Sequence, residues 1–292
     1  MKPLNRRLFL QNTALATAAV AAGCAPRGAG LSNRSATMRF GLVTYLWGKD
    51  LDVPNLLTTC EQARVFGVEL RTEHAHRVEP GLSKAERTEV KRRFADSPVT
   101  LVGYGSNARF HDAEPAKLQE NIELAKQYIR LMHDCGGSGV KVKPDGFPPG
   151  VPREQTIEQI GRALNEVAAF GADHGQEIRV EVHGGGTSEI PVMKAIFDIA
   201  DHPNAKICWN SNAQDLQGAG LEANFSLLRN RFGATAHVRA LDSTGYPFDQ
   251  LLRLFKASDY RGWVMLEAHT NPPKALVEQL RAQRELFERM TA

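Results

Sequence analysis

The chain has 292 residues, 42% of them hydrophobic and 24% charged, with 25 glycines and 15 prolines, a balance that excludes a disordered tail, a collagen-like repeat and a membrane bundle. Its 36 basic residues include Lys2, Arg6 and Arg7, in an opening stretch with no acid; without those three, the bases equal the 33 acids. A neutral body presents no basic face to a nucleic-acid backbone, and the length suits two ordinary domains or one α/β barrel of ~250 residues.

The first segment, Asn5-Arg6-Arg7-Leu8-Phe9-Leu10 followed by an Ala-rich run to Gly23, resembles a twin-arginine export signal. The run is shorter and less apolar than the ~20 residues a spanning helix needs. Ala21-Ala22-Gly23-Cys24 resembles a bacterial lipoprotein cleavage box, which would acylate Cys24; simple cleavage after an Ala-x-Ala site is the alternative. Residues 1–24 are thus expected to be a signal, 25–37 a flexible tether and 38–292 the folded body, exported to the periplasm or anchored there by lipid. The only membrane contact expected is that anchor. Cys60, Cys135 and Cys208 are odd in number and unrelated in spacing, so they predict small buried hydrophobes and no disulfide framework.

From residue 38 the pattern alternates. Runs rich in β-branched and aliphatic residues at 39–46, 67–73, 100–104, 139–143, 178–183, 206–210, 234–241 and 262–267 predict strands. Segments of helical period at 52–65, 82–95, 114–134, 153–174, 189–201, 217–231, 247–257 and 273–289 separate them. Eight of each in strict alternation predicts an α/β fold, a single (β/α)8 TIM barrel. Ile207-Cys208-Trp209 and Trp263-Val264-Met265-Leu266 lack polar alternation, as strands covered on both faces do. The competing doubly wound sheet loses its commonest functional form, because no GxGxxG follows the first strand and no GxxxxGK[ST] occurs.

In such a barrel the chemistry gathers at the C-terminal strand ends. The polar residues there are Arg71, Glu73 and His74, then Asn107, Lys141 and Lys143, Glu181 and His183, Asn210 and Asn212, His237 and Arg239, and Glu267 and His269. Glu181, Asn210, His237 and Glu267 are 29, 27 and 30 residues apart, one β/α unit each time. They would offer two carboxylates, an amide oxygen and an imidazole to one divalent ion, Mn²⁺, Mg²⁺, Co²⁺ or Zn²⁺. His183, Lys143, Arg71, His74, Asn107 and Arg239 are candidate substrate contacts around it, and Trp47, Tyr45 and Tyr104 candidate stacking faces for a sugar. The structural alternative for Glu181 is an ion pair, for instance with Lys143; for Glu73-His74-Ala75-His76 it is a solvated loop.

Four pieces carry a family resemblance: Val180-Glu181-Val182-His183-Gly184, Ile207-Cys208-Trp209-Asn210, His237-Val238-Arg239 and Gly262-Trp263-Val264-Met265-Leu266-Glu267. Over about residues 38–290 the chain resembles the xylose-isomerase-like barrels of the sugar phosphate isomerase/epimerase group. The resemblance implies Glu181, His237 and Glu267 as metal ligands, with the two glutamates also transferring protons on either face of a sugar carbon. The family's strand-6 Asp is Asn210 here, the His three residues later is Ala213, and the acid after the strand-7 base is Ala240. With two formal negative charges instead of three, the quartet should hold a hard cation more weakly. The expected function is an exported, metal-dependent sugar or keto-sugar isomerase or epimerase, or a lyase sharing the enediolate step, with a small carbohydrate as partner and no nucleic acid; a homo-oligomer is compatible. The alternative is a non-catalytic carbohydrate-binding barrel with a degenerate metal site.

Overall fold

The computed structural model describes residues 37–292; the signal, the lipobox at Cys24 and all of the tether but Thr37 lie outside the described residues. Eight strands, β1 (Arg39–Val43), β2 (Gly67–Arg71), β3 (Thr100–Arg109), β4 (Gly139–Lys143), β5 (Glu177–Glu181), β6 (Ala205–Cys208), β7 (Thr235–Val238) and β8 (Trp263–Leu266), form one parallel sheet. Its order is β6-β5-β4-β3-β2-β1-β8-β7. The remaining seam, β6 to β7, is joined by bridges at Ile207–Phe232 and Asn210–His237, with Gly233 N–H donating to the Ile207 carbonyl at 2.9 Å and His237 N–H to that of Trp209 at 2.7 Å. The result is the single (β/α)8 barrel that the alternation predicts.

Around it run α1 (Tyr45–Gly48), α2 (Val53–Ala63), α3 (Lys84–Ala95), α4 (Pro115–Cys135), α5 (Arg153–Asp173), α6 (Ile190–Ile199), α7 (Leu221–Leu228), α8 (Phe248–Ala257) and α9 (Leu276–Thr291). Local chemistry sets their starts: Asp52 caps α2 by accepting from Asn55 N–H at 2.9 Å, and Ser83 with Glu86 forms a capping box on α3. Two expectations shift. The first strand ends at Val43, because residues 45–48 wind into a helical turn. The helix predicted over 217–231 shortens to α7, because Gly218 and Gly220 sit at φ 61° and 84°, outside helical conformation. No helix among the described residues is long and apolar enough to cross a membrane.

The large core lies between strands and helices and includes the free, buried Cys60 and Cys135; Cys208 is likewise free and buried. Inside the barrel only Val43, Val102, Trp263 and Met265 form an apolar cluster. The rest of the interior is polar, and missing side chains make room for long ones. A Cβ on Gly103 would lie 2.7 Å from Arg179 Nη1, and one on Gly105 2.6 Å from Arg71 Cδ. Arg179 closes the lower layer with every nitrogen bonded, to Glu177 Oε1 at 2.9 Å, the Val102 carbonyl at 3.0 Å and Ser138 Oγ at 3.0 Å. Buried and fully paired, it satisfies the condition for a charge in a core.

Candidate active site

Above Arg179, strand parity carries Glu181 to the C-terminal end of β5, where its side chain is 3% exposed. Asn210 lies just beyond β6 and bridges to His237 on β7; Glu267 follows β8, its N–H bonded to the Val238 carbonyl at 2.8 Å. The structure therefore brings the whole predicted quartet together. His237 Nδ1 is 3.7 Å from Glu181 Oε1 and 3.6 Å from Glu267 Oε2. Ligand atoms of Glu181, His237 and Glu267 lie within 4.8 Å of one another, and all three residues are buried. Neither ring nitrogen of His237 completes a hydrogen bond. A buried imidazole whose Nδ1 completes no hydrogen bond and faces two carboxylates is a donor set that fits a divalent cation. Asn210 instead donates its Nδ2 to Glu181 Oε1 at 3.1 Å.

Two further groups complete the centre. Glu69 on β2, 1% exposed, places Oε1 3.1 Å from His237 Nε2. It stands where a carboxylate orients a metal-binding imidazole. Sequence reasoning missed it, although it lies two residues before Arg71 and so on the same strand face. Lys141 on β4 pairs with Glu181 Oε2, both side chains nearly fully buried. The ion pair anticipated for Glu181 thus exists, with Lys141 and not Lys143.

The electrostatics follow from this crowding. Burial, the largest single influence, opposes ionisation of Glu181 and Glu267, but Lys141 and His237 together for the first, and His237, His269 and Lys141 together for the second, outweigh it and hold both carboxyls below their usual range. Burial would lower the His237 pKa, yet Cys208, Glu69 and Glu267 reverse that and raise it well above its usual value. Three carboxylates around one imidazole attract positive charge, as a proton or as a metal.

The predicted substrate contacts divide. Lys143 ends β4 half-buried with no hydrogen-bond or ion-pair partner, and burial, then the charge of Lys141, lowers its pKa. Arg71 is tied to the Gly105 carbonyl at 2.6 Å and Asn107 Oδ1 at 3.3 Å, with its guanidinium 5.9 Å from the centre of the Tyr45 ring. Asn107 is exposed and donates to Thr72 Oγ1 at 3.1 Å. His183 is half-exposed and pairs with Asp145 at 2.7 Å; Arg239 is exposed beyond β7.

His74 meets Thr44 Oγ1 at 3.1 Å, and burial, aided by His76 and Arg71, lowers its pKa to about 4, so it stays neutral. His76 is locked between the Arg71 carbonyl at 2.8 Å and Val78 N–H at 3.0 Å, which fixes that end of the segment, while Glu73 and Ala75 stay exposed. Trp47 and Tyr104 are not sugar-stacking faces. Trp47 is packed into the core with Nε1 donating to Thr270 Oγ1 at 3.1 Å, and Tyr104 points into the helical layer, its hydroxyl on Glu79 at 2.9 Å and its ring 4.6 Å from that of Tyr128. Tyr45 stays partly open beside His269, ring centres 5.4 Å apart.

The segment after Asn210 is pinned by Asp215, which is fully buried. Its Oδ2 accepts from Asn212 N–H at 2.9 Å and the Tyr246 hydroxyl at 2.8 Å, while Oδ1 has no partner. Burial pushes this carboxyl up to about 7. Because the folded pKa exceeds the unfolded one, the folded state binds more protons between about pH 4 and 7, and stability falls as pH rises through that window. Asp215→Asn is expected to gain on the wild type by up to about 1.4 kcal/mol per pH unit there, with a constant gap above it. Urea denaturation at pH 5 and pH 8 checks this; a gap independent of pH would rule it out.

The family model described as xylose isomerase-like TIM barrel matches residues 60–286. No curated protein matches the chain in sequence. Among solved structures, the chain is similar to a 3-keto-D-glucoside 4-epimerase from E. coli in its apo form, with TM-score 0.73, 12% identity and coverage of 87% of this chain and 100% of that one. It is also similar to a D-allulose 3-epimerase from Methylomonas sp. in complex with D-allulose, with TM-score 0.71, 16% identity and coverage of 88% and 98%. A third is a probable 3-DHS dehydratase from Bacillus anthracis, with TM-score 0.67, 15% identity and coverage of 86% and 99%. At these identities the likeness concerns the fold.

Proposed function

Because the chain belongs to the xylose isomerase-like TIM-barrel family, we propose that it is a divalent-metal-dependent isomerase or epimerase of a sugar or keto-sugar. The observation that carries this reading is the convergence of Glu181, His237 and Glu267 at the C-terminal ends of β5, β7 and β8. The epimerase activity named for two structures of the same fold agrees with it. Glu181, His237 and Glu267 would hold the metal, with Asn210 able to add its amide oxygen if the amide turns over. A bound divalent cation supplies Lewis acidity that polarises a substrate carbonyl and acidifies the neighbouring C–H.

The chain's own groups do the rest. Both glutamates are ionised at neutral pH and competent to accept a proton. Glu267 is the better base, since its nearest polar neighbours, His237 and His269, stay at 3.6 and 3.7 Å. Glu181 is already bonded on both oxygens. Return of a proton to the opposite face gives an epimer, and return to the neighbouring carbon an isomer; loss of a β-leaving group gives elimination, the lyase outcome. Lys143 offers an unpaired cation to a substrate oxygen. The resemblance of residues 5–23 to a twin-arginine signal supports export, which would argue against phosphorylated metabolites and for a neutral sugar or keto-sugar.

The bonding of Glu181 to Lys141 and Asn210 favours a second reading, a carbohydrate-binding barrel without turnover. One experiment separates the two. Candidate keto-sugars are incubated with the enzyme in D₂O with Mn²⁺ or with a chelator, and deuterium at carbon is read by NMR. Metal-dependent incorporation is expected; binding of the sugars without any incorporation would leave only the second reading.

A further inference from the structure

The centre contains a cation of its own. Lys141 points inward from β4, in register with Gly105 on β3 and Arg179 on β5, and the space left by the missing side chain at Gly105 is taken by Arg71 and Glu69. Its ammonium lies on Glu181 Oε2, while Asn210 Nδ2 donates to Oε1 at 3.1 Å. Both oxygens that would face a metal are therefore occupied by N–H donors. Glu267 has no such donor in close contact. The amide at position 210 and the ammonium at 141 act in the same direction, each reducing the negative charge a dication would meet.

We propose that Lys141 is a resident counter-cation that competes with the divalent metal for Glu181 and thereby sets the metal affinity of the site. This rests on the metal reading above. Metal binding at Glu181 would displace the ammonium, and Glu69, a buried carboxylate that faces His237 Nε2 with Oε1 at 3.1 Å and on which the charge of Lys141 already acts, can take up part of the pairing. The site can thus exchange one cation for another at Glu181, with Glu69 compensating the displaced ammonium only in part. Its metal binds weakly and reversibly.

The test is calorimetric titration of Mn²⁺ into chelator-stripped protein, for the wild type, Lys141→Met, Lys141→Gln, Asn210→Asp and Glu181→Gln. Lys141→Met is expected to tighten Mn²⁺ binding by at least about tenfold, through removal of one positive charge beside the dication. Lys141→Gln keeps a hydrogen-bond donor for Glu181 and drops the charge, so it is expected to tighten binding similarly and stays measurable should the methionine variant fail to fold. Asn210→Asp is expected to tighten binding with Lys141 in place, and Glu181→Gln to weaken it. Equal or weaker affinity in both Lys141 variants than in the wild type overturns the competition while leaving the metal site standing. Absence of Mn²⁺ binding at millimolar concentration in every protein overturns both.

Discussion

Glu267→Gln is expected to slow deuterium incorporation into the accepted keto-sugar by about 10²–10⁴-fold, the range for loss of a positioned general base. The substitution is nearly isosteric and removes the carboxylate's charge and its ability to take up a proton, while an amide oxygen remains to face the cation. Glu267 is 6% exposed and held by its backbone N–H on Val238, and no N–H donor makes a close side-chain bond that glutamine would strand. Stability should therefore change little, and KM should move much less than kcat, because the interaction lost is one made in the transition state. Saturating Mn²⁺ is kept in the assay to separate the base from the ligand. Incorporation within tenfold of wild type under those conditions would show that the proton goes elsewhere, with Glu181 the next group to test.

The separation of roles between the two glutamates was only half legible in the sequence. Each ends an apolar strand, and the 27–30-residue spacing from Glu181 through Asn210 and His237 to Glu267 is one β/α unit repeated, so periodicity alone brings them to one end of the barrel. Their partners were hidden. Strands covered on both faces give no polar-apolar alternation by which to read parity. Nothing in Gly139-Val140-Lys141-Val142-Lys143 says whether Lys141 or Lys143 reaches Glu181. That is decided by depth: Lys141 sits level with Arg179, one layer below Glu181, and its long side chain climbs to the carboxylate, while Lys143 already lies at the rim. Glu69 was obscured in the same way by Arg71, the more obvious strand-end residue. Tyr104 faces the helices by parity, since Gly103 and Gly105 on either side of it face Arg179 and Arg71 in the barrel interior, and β3 runs on to Arg109. Trp47 was misread because the chain winds into α1 after Val43.

The buried pair also governs folding of the metal-free protein. Glu181→Leu is expected to cost about 3–5 kcal/mol, because it leaves the Lys141 ammonium uncompensated in the barrel interior. The magnitude comes from the stranded charge more than from the bond itself. Lys141 and Glu181 side chains are 1% and 3% exposed, so water cannot replace the carboxylate. Glu69 recovers part of the loss only if the ammonium turns toward it. The double variant Lys141→Met with Glu181→Leu removes both charges at similar volume and is expected to regain most of the stability, or to exceed the wild type. A coupling of several kcal/mol between the two positions in urea denaturation at neutral pH is thus the expected result, and additive single costs would show that the pair is not electrostatically linked. The pH course has a definite sign. Lys141 and His237 together outweigh burial and hold the Glu181 carboxyl below its usual 4.5, so its stabilising contribution is complete above the unfolded pKa and is lost as pH falls through the folded one. The deficit of Glu181→Leu relative to wild type should therefore be largest at neutral pH and shrink only in strong acid, opposite in slope to the trend expected from Asp215.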